Sequence, residues 1–130
     1  MNNIPHHSKS NFISGRLKSL VYATRGFFKL ILTEHSIMAQ TSIALIMTAV
    51  GFYFNISKTE WLFQILSIGL VISIEGLNTA VEKVCDFIHP NFHNKIGFIK
   101  DIAAGAVFFS ALTAIIIGLI IYIPYLLNGN

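Results

Sequence analysis

Residues 61–86 read WLFQILSIGLVISIEGLNTAVEKVCD, an apolar run without charge that ends in a segment carrying Glu75, Asn78, Glu82 and Asp86. At about 100° per residue these four side chains share one face of a helix. A carboxylate inside an apolar span is costly enough to mark function by default. Carboxylates one or two turns apart also offer the oxygen ligands that a hard cation such as Mg²⁺ requires. The plain alternative is a helix that simply emerges into water at this point.

Working outward, the rest of the chain resembles this span more than it resembles a soluble domain. The 130 residues are 54% hydrophobic and only 12% charged, the balance of a small single-domain integral membrane protein. Charge-free stretches cover 36–57, 61–74 and 102–130. The first and third exceed the roughly 20 residues needed to cross about 30 Å of hydrocarbon. The second reaches that length only if Glu75 and Asn78 are drawn into the membrane or lie at its edge. The expected fold class is therefore an all-α membrane protein with transmembrane helices near 36–56, 61–87 and 101–125.

Before the first span, Leu17, Leu20, Val21, Thr24, Phe27, Phe28 and Ile31 follow the i, i+3, i+4, i+7 template, while Lys18, Arg25 and Lys29 gather opposite. This predicts a basic amphipathic helix near 15–33, of the kind that lies in the headgroup layer. Its alternative is packing on a soluble partner. The polar stretch 1–14 lacks the apolar core of a signal peptide and is expected to be a disordered tail, leaving 15–127 as the domain. Cys85 is the sole cysteine, which excludes an intrachain disulfide and a cysteine metal cluster.

Charge asymmetry sets the expected topology. Eight of the nine basic residues fall before the first span or around the ends of the second and third that lie together, and only Lys58 lies on the other side. The positive-inside rule then puts the N-terminus in the cytoplasm and the C-terminus outside. In that topology Glu34, Glu82, Asp86, Lys100 and Asp101 converge at the cytoplasmic surface. Trp61, Tyr122 and Tyr125 fall at the opposite ends, as an aromatic belt would. Pro90 breaks the pattern in the loop 88–95. Ala106, Ser110, Ala114 and Gly118 form a small-xxx-small ridge suited to close helix packing.

Soluble nucleotide folds are excluded as far as motifs can exclude them, since neither G-x-x-x-x-G-K-[ST] nor G-x-G-x-x-G occurs. The pair His6-His7 is expected to be solvated, and His35, His89 and His93 lack a ligand spacing. What remains is a site with carboxylates that hold Mg²⁺, a lysine that neutralises phosphoryl oxygens and a carboxylate that accepts a hydroxyl proton. Those are the parts of phosphoryl transfer.

The pattern Glu75-x-x-Asn78-Thr79-Ala80-x-Glu82-x-x-x-Asp86, followed by Lys100-Asp101, resembles the signature of the small bacterial membrane lipid kinases, the diacylglycerol kinase and undecaprenol kinase family. The resemblance runs from about Phe12 to Leu127. It implies a surface helix plus three spans, a homotrimer with sites shared between subunits, and transfer of the γ-phosphoryl group of MgATP to a lipid hydroxyl at the bacterial inner membrane. Carried over by position, Glu34 and Glu82 resemble the Mg²⁺-nucleotide ligands and Glu75 the general base. Asn78 resembles a group that positions the base and phosphate, and Lys100 the phosphate neutraliser. Tyr22, Asp86, His93 and Asp101 match positions along the nucleotide approach and Arg16 one along the lipid approach. No nucleic-acid partner is implied.

Ser36, Met38 and Gly76 depart from the family pattern, where a polar Asn, a cationic Arg and a larger aliphatic are usual. The segments Thr59-Glu60-Trp61, 100–107 and Ile123-Pro124-Tyr125 look closer to the undecaprenol kinase branch than to the diacylglycerol kinase branch. A competing class is a small oligomeric channel or transporter component whose ion path is lined by Glu75, Asn78 and Glu82. A pore needs polar groups through the membrane depth, and span one and the outer half of span two read as little beyond scattered Ser and Thr. A noncatalytic scaffold is the third class and predicts no nucleotide dependence.

Overall fold

The computed structural model describes residues 12–128, and the chain divides into two units, Met1–Glu34 and His35–Asn130. Among the described residues every regular element is helical: α1 Phe12–Thr33, α2 His35–Tyr53, α3 Lys58–Ile88 and α4 Asn94–Asn128. Of the expected tail, residues 1–11 lie outside the described residues, while Phe12, Ile13 and Ser14 already belong to α1.

In the first unit α1 buries none of its own residues. Leu17, Leu20, Phe27 and Phe28 are exposed, the two phenylalanine rings meeting edge to face at 5.5 Å. A single amphipathic helix has no inner side, so its apolar stripe requires an external apolar phase.

The second unit is built on α3. Helices of 19, 31 and 35 residues extend about 28, 46 and 52 Å at 1.5 Å per residue. All three are long and apolar enough to cross a membrane. α4 begins at Asn94, several residues before the expected start of the third span, and α3 and α4 both exceed the hydrocarbon thickness. Their end turns carry the charged residues other than Glu75. Between α3 and α4 the chain turns through Pro90.

The α2–α3 connection is locally determined. Asn55 adopts φ 49°, the left-handed region that asparagine tolerates better than most residues. Its N–H donates to the Phe52 carbonyl and that of Ile56 to the Gly51 carbonyl, both at 3.2 Å, which is the Schellman pattern. α3 then opens with a capping box: Ser57 Oγ accepts from the Glu60 N–H at 3.3 Å, and Glu60 Oε2 accepts from the Ser57 N–H at 2.7 Å.

This end of the bundle also holds its core. Ile56, Ile121 and Tyr122 are buried against Met47, Val50, Phe54 and Trp61. The Tyr122 hydroxyl donates to Gln64 Oε1 at 2.6 Å, and Gln64 Nε2 donates to the Met47 carbonyl at 3.0 Å, which links α4, α3 and α2. The Tyr125 hydroxyl donates to Glu60 Oε2 at 2.9 Å.

Two sequence expectations are corrected here. The rings expected in a lipid-facing belt turn inward instead, because Glu60 and Gln64 on α3 give their hydroxyls acceptors and Gly51 gives the Trp61 indole a flat seat. The outer half of α3 is also more polar in effect than its Ser and Thr content implied, since buried Gln64 is the hub of the network.

The small-residue ridge on α4 is only partly used within the chain. Ser110 is buried, whereas Ala114 and Gly118 line a cleft of about 580 Å³ between α2, α3 and α4. A Cβ at Gly118 would meet nothing within 4 Å, so its lack of side chain serves no close contact inside this chain.

Gly51 is the opposite case. A Cβ there would stand 2.8 Å from Trp61 Cη2 and 3.2 Å from Ile56 Cδ1. Gly51→Ala is therefore expected to cost about 1–3 kcal/mol through displacement of the indole. Reversible unfolding by SDS in mixed micelles measures this; an unchanged midpoint would show that Trp61 relocates freely.

Candidate functional site

Toward the other end of α3 the apolar core gives way to the stripe read from the sequence. Four or three residues separate its members, so helical geometry alone aligns them. Glu75 and Asn78 are buried at 7% and 8% exposure, Glu82 is half-buried and Asp86 is exposed. The stripe thus grades from protein interior to solvent over three turns. A carboxylate within the bundle and another at the surface can do different work on one helix: the inner meets a group arriving from the apolar side, the outer a charged group arriving from water.

Asn78 Nδ2 donates to Glu82 Oε1 at 3.1 Å. Glu82 is the i+4 neighbour of Asn78 and Glu75 its i−3 neighbour, so both carboxylates flank Asn78 on one helix face. Asn78 Oδ1 is buried without a hydrogen-bond partner in the structure. An orphan carbonyl oxygen beside a carboxylate is a pair of hard oxygen donors, the type of ligand Mg²⁺ takes.

The residues contributed by α4 meet this stripe at its outer end. Lys100 Nζ donates to Asp86 Oδ1 at 2.5 Å across the α3–α4 interface. The antiparallel register that joins Gln64 to Tyr122 also brings residue 86 opposite residue 100. Asp101 is exposed next to it. His93 is exposed in the connecting loop, where its Nδ1 accepts from the Lys95 N–H at 3.2 Å and its ring lies 5.1 Å from that of His89.

The remaining candidates belong to the first unit. The Arg16 guanidinium sits 5.1 Å above the Phe12 ring, and Tyr22 is exposed. Glu34 occupies the non-helical residue after α1, half-buried, with its N–H donating to the Leu30 carbonyl at 3.3 Å and its Oε1 accepting from Thr33 Oγ1 at 3.2 Å. Among the described residues, Asn78 contacts Glu82 and Asp86 contacts Lys100. Buried Thr79, one residue beyond Asn78, was quoted in the motif but assigned no role, and only its burial singles it out.

Comparison with known proteins identifies the family. The family profile described as prokaryotic diacylglycerol kinase matches residues 21–122. The chain is 37% identical over 116 residues to the undecaprenol kinase of Bacillus subtilis (strain 168), covering 89% of this chain and 94% of that protein. It is 29% identical over 100 residues to the diacylglycerol kinase of Haemophilus influenzae, covering 77% of this chain and 85% of that protein. Over 100 residues it is 25% identical to the diacylglycerol kinase of Escherichia coli (strain K12), covering 77% and 82%.

Proposed function

Since this chain belongs to the prokaryotic diacylglycerol kinase family, we propose that it is an undecaprenol kinase, transferring the γ-phosphoryl group of MgATP to the hydroxyl of that membrane lipid. The observation that carries the reading is the graded stripe on α3: buried Glu75 lies two turns from Glu82, to which Asn78 donates, inside a helix long enough to cross the membrane. A lipid hydroxyl approaches from the apolar side and a polyphosphate from water, so one helix face serves both.

Glu75 accepts the hydroxyl proton as the lipid oxygen bonds to the γ-phosphorus and the bond from that phosphorus to the β-bridging oxygen breaks, releasing ADP. Glu82 and Asn78 Oδ1, with Glu34 assigned by position, supply oxygen ligands that fit Mg²⁺, a cation that needs only one or two carboxylates beside substrate phosphates. When bound, that ion would offset phosphoryl charge. Lys100 neutralises a phosphate oxygen, and Tyr22, Asp86, His93 and Asp101 line the nucleotide approach, with Arg16 on the lipid side. The site faces the cytoplasm at the bacterial inner membrane, with the N-terminus inside and the C-terminus outside; the basic residues of α1 and the α3–α4 loop support this. By the family resemblance, three copies assemble and share sites. Residues 15–127 form the kinase domain.

The acceptor is tested with purified protein in mixed micelles, labelled MgATP, and either undecaprenol or diacylglycerol. Label in undecaprenyl phosphate is expected. Preference for diacylglycerol would move the assignment to phosphatidic acid synthesis, and no labelled lipid would overturn kinase activity.

Two variants separate the roles of the carboxylates. Glu75→Gln should lower kcat by about 10²–10⁴-fold, the range for loss of a general base, while leaving MgATP affinity nearly intact. Near-normal turnover in an intact assembly would remove the base assignment. Glu82→Gln should instead raise the MgATP KM by more than about tenfold, because its carboxylate offsets cation charge that an amide cannot. Wild-type MgATP dependence, checked by titrating Mg²⁺ at fixed ATP, would show that Glu82 is not a metal ligand.

A further inference from the structure

The Lys100–Asp86 contact is more than a neighbouring pair of site residues. Lys100 is the cation assigned to phosphate, yet its ammonium is fully committed in direction to a carboxylate on the facing helix. The two side chains are 34% and 62% exposed. An ion pair that open to water is worth little as a staple, because solvent screens it and two long side chains must be held still. It is correspondingly easy to break. α3 and α4 are joined independently by Gln64–Tyr122 and Glu60–Tyr125 at their other ends.

Position gives the pair a destination. Asp86 is one turn, about 6 Å, beyond Glu82 on the same face of α3. Lysine carries its charge on a flexible four-carbon stem with three donors, so a shift of that length needs no movement of α4. Glu82 Oε1 accepts from Asn78, which keeps the inner carboxylate oriented by its own helix rather than by Lys100.

We propose that Asp86 is a positioning residue that competes with nucleotide phosphate for Lys100, exchanging the ammonium along one turn of α3 and thereby setting nucleotide affinity. The proposal rests on the kinase reading above. It assigns Asp86 an indirect role, through Lys100, in place of a nucleotide contact. A carboxylate in that place holds Lys100 aimed at the site and also weakens ground-state binding, since the ammonium must leave one anion to reach another.

The experiment is calorimetric titration of the full chain in detergent micelles with the magnesium complex of adenylyl imidodiphosphate. It uses wild type, Asp86→Asn, Asp86→Glu, Lys100→Gln and the Asp86→Asn/Lys100→Gln double variant. Asp86→Asn should bind roughly two- to fivefold more tightly, the range that removal of an exposed ion pair as competitor allows. Asp86→Glu, which keeps the carboxylate, should stay near wild type. On the Lys100→Gln background the Asp86→Asn change should vanish.

Unchanged or weaker binding by Asp86→Asn would overturn the proposal. Equal tightening with and without Lys100 would overturn it too, because that result is plain charge repulsion between Asp86 and the polyphosphate. Tightening by Asp86→Glu equal to that of Asp86→Asn would do the same. A wild-type protein that binds no nucleotide would bring down the kinase reading itself, whereas normal wild-type binding without coupling brings down only the role of Asp86.

Discussion

Placing an ionisable side chain at bilayer depth costs roughly 2.5–3.5 kcal/mol even on the more lenient insertion scales, so a helix that carries one must bury it against protein. Glu75 obeys this constraint at 7% exposure. The face of α3 that holds Glu75 also holds Asn78 and Thr79, all buried, while Leu70, Leu77 and Val84 remain exposed on other faces. α3 is therefore not an ordinary apolar span with a polar end. It is the element that brings polar chemistry to the membrane, with α2 and α4 packed beside it.

How polar groups are partnered differs between the two ends of α3, and the difference is functional in kind. At the α2–α3 turn, Glu60 and Gln64 are satisfied by Ser57, Tyr125, Tyr122 and the Met47 carbonyl. In hydrocarbon such groups have no water to fall back on, so a saturated network fixes one packing. At the other end Asn78 Oδ1 lacks a partner and Lys100 is held in an exposed pair. The first end specifies a structure, whereas the second leaves a buried oxygen unpaired and an ion pair open to water. A channel lined through its depth would need open polar groups along the whole of α3; toward the α2–α3 turn Gln64 is spent on structure instead.

Hydropathy made the helices legible, because a span without charge has few alternatives in water or lipid, and the stripe was legible because a helix has a fixed period. The inward turn of Tyr122 and Tyr125 was not. An aromatic hydroxyl near a span end suits an interface belt and an internal hydrogen bond equally well, and only the register of α3 against α4 decides between them. Gly118 failed for a related reason: a small residue permits close packing but does not require it. The Asp86–Lys100 pair spans fourteen residues and a proline turn, so its formation depends on that same register. Arg16 and Tyr22 entered through the family resemblance alone, and Glu34, placed at the cytoplasmic surface by charge topology, took its ligand role from that resemblance.

Burial orders the stripe, and that order constrains which roles its members can exchange. A general base must meet a hydroxyl whose lipid tail keeps it on the apolar side, so the most deeply placed carboxylate fits the task and the exposed ones do not. A charged ligand arriving from water meets groups it can reach, and Glu82 is half-buried while Asp86, with Lys100 opposite it on α4, lies one turn further out. Moving the base one turn outward would put it among the phosphate ligands, where it would compete for cation. Moving the metal ligand one turn inward would require burying a polyphosphate. On the proposed reading, the separation of Glu75 from Glu82 by two turns is thus the compromise that lets one helix address a lipid and a nucleotide together.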